Sequence, residues 1–481
     1  MKITVRLNDM SCRYDVFQIF NIYFASQDIK FEDEGEYNVD ILDSVLRCRK
    51  GEDFSRSFSY DKALTKKENI KSGIFLFLKE ATGREYPWGT LTGIRPSKIA
   101  LALLENRSED EIVEYFKVHN LASEEKARLC IEVAKNEERY VTKDDYLISV
   151  YVGMPFCPTK CLYCSFTSTP VGKKPELVDE YIKALFYEMD KVSGYIRDKG
   201  LKIQCVYFGG GTPTAVNDIQ FEDVMKRIYN DFIKGFDVEE FTVECGRPDS
   251  ITEAKLQSMK DYGVDRISIN PQTMNEETLK LLGRSHSPED TKEKFLLARK
   301  MGFDNINMDI IVGLPHENES HIKITCDKIL GLKPDNLTVH GLSVKRGSRL
   351  YEKILDSGNY KGPEQDELIR MFGQTRKLAE RMDMKPYYMY RQKNMAGNME
   401  NIGYSVAGKS GIYNIQMIEE QQTIIACGAD GITKVVFREE NRIERAPNLK
   451  DIKEYISRID ETLNKKFDLL NTLYKRMEDK K

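Results

Sequence analysis

The chain has 481 residues, 41% hydrophobic and 31% charged, a composition that excludes a largely disordered polypeptide. Lys and Arg total 73 against 77 for Asp and Glu, a net charge of -4, so the balance carries no footprint of a dedicated nucleic-acid binder. At about 150 residues per domain the length suggests about three units, and no stretch approaches the ~18 continuous apolar residues of a membrane span.

The N-terminus, MKITVRLNDM, alternates apolar and polar residues and reads as a first strand instead of a signal-peptide core. That points to a cytoplasmic protein with reduced thiols. Residues 1–143 read as an N-terminal accessory α+β domain. ITVRL and IFLFL (74–78) are expected as strands, followed by two helices after Pro96. Ser108 and Glu111 form a capping box for the first, and Ser123 caps the second. The segment YPWGTLTGIRP (86–96) is read as a packed turn in preference to a docking loop.

Residues 144–345 alternate short apolar runs with amphipathic helices. Strands are expected at 146–152, 203–208, 239–245, 266–270, 305–313 and 336–342. Helices are expected at 175–198, 218–234, 252–262, 276–282, 288–301 and 318–331. Such alternation means βαβ units and a parallel sheet, and the number of units favours a partial or closed barrel over a small doubly wound sheet. Residues 346–481 form a less regular C-terminal mixed α/β extension. PEQDELIRMFGQTRKLAERM reads as a helix, YYMYRQKN and IYNIQM as strands, and the tail from Asn448 as one long amphipathic helix.

Seven of the ten cysteines are scattered, and a buried apolar role suits most of them. The others, Cys157, Cys161 and Cys164, stand in GMPFCPTKCLYCSF. At a cysteine frequency of about 0.02, a C-x3-C-x2-C triplet arises by chance roughly 0.004 times in a chain of this length. Three thiolates on a tight loop can hold three irons of a [4Fe–4S] cube and leave the fourth open. A structural zinc would need a fourth ligand, and the nearest histidines, His119 and His286, are distant in sequence. Phe156 and Tyr163 are candidates to shield such a cluster. The triplet follows a strand, where barrel enzymes carry their chemistry.

A glycine run, Gly209 to Gly211 in YFGGGTPTA, lets backbone approach a ligand closely. It has neither the lysine of a phosphate loop nor the spacing of a dinucleotide fingerprint. Glu244, Gln272 and Asp309 put polar groups at the ends of apolar strands, where burial is costly without a partner. Together they argue for a polar ligand inside the barrel, with Arg284 as a cationic partner.

These residues resemble the radical S-adenosylmethionine (SAM) enzymes. PFCPTKCLYCSF, YFGGGTPT, FTVECGRPD, SINPQTM, LLGRSH and NMDIIVGLP look like the oxygen-independent coproporphyrinogen III oxidase family. WGTLTGIRP, ECGRPDSIT and YRQKNMAGNMENIGY look like its HemZ-type branch of coproporphyrinogen dehydrogenases. The resemblance implies an α/β radical SAM partial (β/α)6 barrel carrying a [4Fe–4S] cluster and SAM, flanked by the N-terminal domain and a C-terminal domain (346–481) that covers the substrate. It implies reductive cleavage of SAM to a 5′-deoxyadenosyl radical, hydrogen abstraction from a propionate of coproporphyrinogen III, and decarboxylation of two propionates to vinyl groups. The product would be protoporphyrinogen IX, in haem biosynthesis. The implied partners are the tetrapyrrole and a low-potential electron donor such as flavodoxin or ferredoxin, with no nucleic acid.

By the same resemblance, Cys157, Cys161 and Cys164 match the cluster ligands. Tyr151, Gly210 and Glu244 match positions around the cluster-bound SAM. Tyr163, Gly211, Thr212, Gln272, Arg284, Asp309 and Ser343 match positions around a second SAM. Arg247, Arg346, Arg391 and Lys393 are candidates for the substrate carboxylates. The chain departs from the family at Phe166, where the oxidases have a further Cys, and at Gly153 and Met154, where they have His-Ile. Two alternatives stand beside the oxidase: a haem chaperone, whose HNxxY motif is replaced here by Tyr413 to Met417, and another radical reaction on a tetrapyrrole such as anaerobic haem degradation.

Overall fold

The computed structural model describes residues 2–141, 143–173, 175–357, 362–392 and 395–478. Its first unit contains β1 (Ile3–Leu7), α1 (Arg13–Tyr23), β2 (Ile29–Phe31), β3 (Tyr37–Ile41), β4 (Val45–Lys50), β5 (Phe54–Ser59) and α2 (Lys66–Thr82). The sheet runs β2-β1-β3-β4-β5. Alternate residues of β1 are buried against the helices, as a half-covered strand requires. IFLFL is not a strand but lies inside α2. The capping box of Thr65 and Glu68 starts that helix and left-handed Gly83 ends it. Ile70, Ile74, Phe77 and Leu78 share its buried face.

Three helices, one more than expected, follow Pro96: α3 (Ser97–Leu104), α4 (Glu109–Asn120) and α5 (Glu124–Glu138). The expected caps are present at Ser108, with Glu111, and at Ser123. YPWGTLTGIRP is a packed turn. Trp88 is fully buried and donates from Nε1 to Glu400 Oε2 at 2.7 Å. Lys126 Nζ meets the other oxygen of Glu400 at 2.5 Å. Gly89 has φ 54°, and a β-carbon there would fall 2.1 Å from the Asn120 carbonyl oxygen.

The central unit follows the expected alternation closely. It contains β6 (Leu147–Met154), β7 (Phe156–Cys157), β8 (Thr169–Pro170), α6 (Pro175–Asp198), β9 (Lys202–Gly210), α7 (Asp218–Ile228), β10 (Glu240–Glu244), α8 (Glu253–Asp261), β11 (Arg266–Ser268), α9 (Glu276–Leu281), α10 (Pro288–Lys300), β12 (Ile306–Val312), α11 (Glu319–Leu332) and β13 (Asn336–Gly341). Strands β6-β9-β10-β11-β12-β13 pair in that order, all parallel. This is the α/β partial (β/α)6 barrel. Helices cover its outer face and polar side chains fill its inner face, an arrangement that leaves room for a ligand at the carboxyl ends of the strands.

The remainder adds α12 (Arg349–Ser357), α13 (Gln365–Arg381), β14 (Lys385–Tyr390), β15 (Asn401–Ser405), α14 (Ile412–Glu419), β16 (Ile424–Cys427), β17 (Ile432–Phe437), β18 (Arg442–Pro447), α15 (Ile452–Ser457) and α16 (Ile459–Glu478). β15 and β14 extend the barrel sheet beyond β13, and β16-β17-β18 extend it beyond β6. IYNIQM is helical, not extended, because the Glu240 carboxylate accepts the first N–H groups of α14, from Ile412 and Tyr413. The tail is two helices, broken at Arg458, and not one. Among the described residues no helix is long and apolar enough to cross a membrane.

The C-terminal helices are held by one buried carboxylate. Glu188 on α6 accepts from Gly428 N at 2.6 Å, Tyr455 Oη at 2.6 Å and Asn448 Nδ2 at 2.8 Å, and pairs with Lys466. Both charged side chains are inaccessible to solvent. Breaking a buried pair leaves its partner uncompensated, so Lys466→Met is expected to lower stability by about 3–5 kcal/mol. Adding Glu188→Gln should restore part of the loss. Urea unfolding of the single and double variants measures both effects.

Candidate functional site

The thiol loop leaves the barrel at the end of β6 and is closed by the short pairing of β7 with β8. It is pinned from outside. Leu162 N donates to Leu282 O at 2.9 Å, and Leu350 N donates to Leu162 O at 2.9 Å. Thr159 Oγ1 donates to Gly283 O at 2.7 Å. Phe156 turns into the core, edge-on to Tyr181, and so does not shield the thiols as expected. Its strand position points it away from the loop, whereas Tyr163 does border the cavity.

Cationic groups surround the sulfur atoms. Arg247 Nη1 and Arg284 Nη1 lie 3.7 and 3.8 Å from Cys161 Sγ, and Thr212 Oγ1 lies 3.5 Å from Cys157 Sγ. Burial pushes the Cys164 thiol up to about 11 and raises that of Cys157. A bound metal would reverse this by stabilising thiolate. The glycine run forms the facing wall. Gly210 has φ 111°, and a β-carbon on it would fall 2.9 Å from Met154 backbone atoms. One on Gly211 would fall 2.9 Å from Cys157 Sγ. Bare backbone therefore keeps the space beside the thiols open.

Below the loop the strands present polar groups. Burial pushes the Glu244 carboxyl up to about 7, and nearby Asp309 adds to the effect. Asp309 is half-buried, and His340 and Asn307 hold its carboxyl below the usual range. Asn307 Nδ2 donates to Asp309 Oδ1 at 2.7 Å, and His340 Nε2 lies 3.7 Å from Oδ2. Gln272 adopts φ 67°, and its Oε1 is buried without a hydrogen-bond partner. Arg284 donates from Nη2 to Asn270 O at 2.6 Å, while its Nε is buried without a partner.

Cys157, Cys161, Cys164, Tyr151, Tyr163, Gly210, Gly211, Thr212, Glu244, Gln272, Arg284, Asp309 and Ser343 all border one cavity of about 870 Å³. Among the described residues no group of His, Cys, Asp and Glu closes as on a single metal ion. The thiol set, the open glycine wall, the carboxylates and the unpartnered Gln272 and Arg284 atoms fit a larger iron–sulfur group with a polar, cationic ligand beside it.

Sequence reasoning missed Arg266, Asn307, His340, Tyr207, Tyr388, Tyr390 and Tyr413, which border the same cavity. The period of two was a usable signal: Asn307 lies two residues before Asp309 on β12, and Tyr207 pairs with Tyr151 across β9 and β6. Tyr151, Tyr207 and Tyr413 stack, the closest pair at 4.4 Å. Of the carboxylate-binding candidates, Arg247 is buried in an ion pair with Asp249 at 2.7 Å. Arg391 is buried and donates to the Leu91 and Asn398 carbonyls. Arg346 is exposed, and Lys393 lies outside the described residues.

Residues 151–329 match the family model of the radical SAM superfamily. The chain is 37% identical, over 88% of its length and 85% of the relative's, to the oxygen-independent coproporphyrinogen-III oxidase-like protein HemZ of Bacillus subtilis. It is 31% identical to the heme chaperone HemW of the same organism, over 52% of this chain and 63% of that one. In fold it is similar to the coproporphyrinogen III oxidase HemN of Escherichia coli, with a TM-score of 0.54 and 21% identity, covering 69% of this chain and 73% of that one.

The raised carboxyl of Glu244 gives a pH test. A cation settling beside it favours the ionised form, so binding must first remove a proton at low pH. Affinity for SAM is expected to rise about tenfold per pH unit below 7 and to level off above it. Glu244→Gln should weaken binding and flatten this slope. Equilibrium titrations across about pH 5.5–8.5 check both.

Proposed function

This chain belongs to the radical SAM superfamily, in its oxygen-independent coproporphyrinogen-III oxidase-like branch, and from that premise we propose that it oxidatively decarboxylates propionates of coproporphyrinogen III to vinyl groups. Members of the superfamily use a [4Fe–4S] cluster and SAM. When bound, the cluster supplies the electron for reductive cleavage of SAM. In this reading Cys157, Cys161 and Cys164 hold it, and Tyr151, Gly210 and Glu244 hold the adjoining SAM. Tyr163, Gly211, Thr212, Gln272, Arg284, Asp309 and Ser343 hold a second SAM.

The observation that carries the reading is the meeting of all these side chains on one cavity at the carboxyl ends of the strands. The chain's own work is positioning. Glu244 offers a buried carboxylate to an ammonium, and Arg284 and Gln272 offer unpartnered polar atoms to a carboxylate or adenine. The tyrosine stack of Tyr151, Tyr207 and Tyr413 gives the cavity an aromatic wall against which bound ligands would be held away from side reactions. We assign the segment 346–481 a covering role, supported by Tyr388, Tyr390, Tyr413 and Lys450 on the cavity wall. The segment 144–345 is then the catalytic core and 1–143 an accessory domain. The electron comes from a low-potential donor in the cytoplasm.

A haem-carrier reading draws on the 31% identical chaperone. It has less support here, because the segment that would carry HNxxY is α14, with Tyr413 buried on the barrel interior.

Anaerobic turnover of coproporphyrinogen III, followed by mass spectrometry, is expected to show loss of two carboxyl groups. Cys161→Ala should abolish both this and 5′-deoxyadenosine formation. SAM consumption without any mass loss would reject the substrate, and unchanged 5′-deoxyadenosine in the variant would reject the cluster ligands.

A further inference from the structure

A second, open hollow of about 560 Å³ adjoins the mouth of the cavity. Lys345, Tyr390 and Gln392 line both spaces, so the two share a wall. Ile94, Val344, Arg346 and Arg391 complete its lining. Among the described residues the lining has three cations and no acid.

The cations differ in kind. Lys345 and Arg346 are exposed, and among the described residues neither has a carboxylate within 4.0 Å. Their loop is fixed against the thiol loop: Gly347 approaches Ser165, and Leu350 N donates to Leu162 O at 2.9 Å. Arg391 forms the back wall. The residue is 4% exposed, and its guanidinium lies 4.9 Å from the Trp88 ring centroid and donates to backbone carbonyls and Asn398. Those acceptors satisfy its N–H groups, and the Glu400 carboxylate, itself paired with Lys126, acts on its charge. Ile94, 56% exposed, and Val344 give the hollow an apolar side.

An apolar ring system with carboxylates on its rim complements this combination. An apolar ring would cover Ile94, Val344 and Tyr390, and its carboxylates would meet Lys345 and Arg346. We propose that this hollow is the subsite for the non-reacting carboxylate edge of a tetrapyrrole substrate, with Lys345 and Arg346 as its direct partners. The proposal rests on the tetrapyrrole reading above and adds the side chains that select for free carboxylates. It also gives the turn at Ile94, from the N-terminal segment, a part in substrate recognition.

The test uses the full-length, cluster-loaded protein and two stable probes, coproporphyrin III and its tetramethyl ester, titrated by fluorescence quenching. Lys345→Gln/Arg346→Gln is expected to weaken the free acid about tenfold and to leave the ester within about twofold. Raising the salt concentration should weaken the acid in the wild type much more than in the variant. Ile94→Glu, which places an acid in the hollow, should also weaken the acid more than the ester. Wild-type and double-variant affinities for the acid that agree within about twofold would overturn the subsite, as would wild-type protein that binds no coproporphyrin III. Protein that binds the acid through Lys345 and Arg346 but does not decarboxylate coproporphyrinogen III would leave the subsite standing and defeat the oxidase reading alone.

Discussion

The clamp on the thiol loop is the constraint on which the rest of the arrangement depends. A loop carrying three cysteines could adopt many shapes, but its backbone is tied to residues 282–283 on one side and to Leu350 on the other. Those ties set the sulfur atoms above the strand ends, opposite bare glycine backbone and beside two guanidinium groups. The loop after β13 is held by the same contact, so the cation-lined hollow and the thiols keep a fixed relation.

A barrel interior this polar works against stability. Arg266 is fully buried and Glu244, Asp309 and Gln272 are partly so, and atoms of Arg266 and Gln272 have no hydrogen-bond partner. The offset comes from outside the barrel, in the apolar contacts of α6 and the surrounding helices and in two buried carboxylates. Glu188 ties the C-terminal helices to α6, and Glu400 ties the N-terminal helices to the C-terminal segment through Trp88 and Lys126. The flanking segments thus brace a barrel whose own interior is polar.

The central unit was legible because local signals there agree with the tertiary ones. Apolar runs of strand length alternate with capped amphipathic helices, and the cysteine triplet, glycine run and strand-end polar residues lie where parallel strands bring them together. IFLFL misled because five apolar residues fit either period, and only the cap at Thr65 reveals the longer helix. IYNIQM misled for a different reason. Its helix begins on a carboxylate from β10, far away in sequence, and that contact leaves no local trace. Tyr388, Tyr390 and Tyr413 were missed because strands and a helix that enter the wall late bring them to the cavity. The domain boundaries at 143 and 345 remain a proposal; the cores show residues 3–86 packed apart from a second cluster that joins Trp88 through Ala134 to Met389.

Membership in the superfamily fixes the fold and cofactors more tightly than the reaction, since relatives named as oxidases and as chaperones both resemble this chain. The central claim is that the three thiols hold an iron–sulfur cube with one corner open to SAM. Low-temperature electron paramagnetic resonance of anaerobically reconstituted, reduced protein tests it most directly. A cluster signal that changes shape when SAM is added is expected. A protein that shows no signal, or one whose signal SAM leaves unaltered, would contradict it.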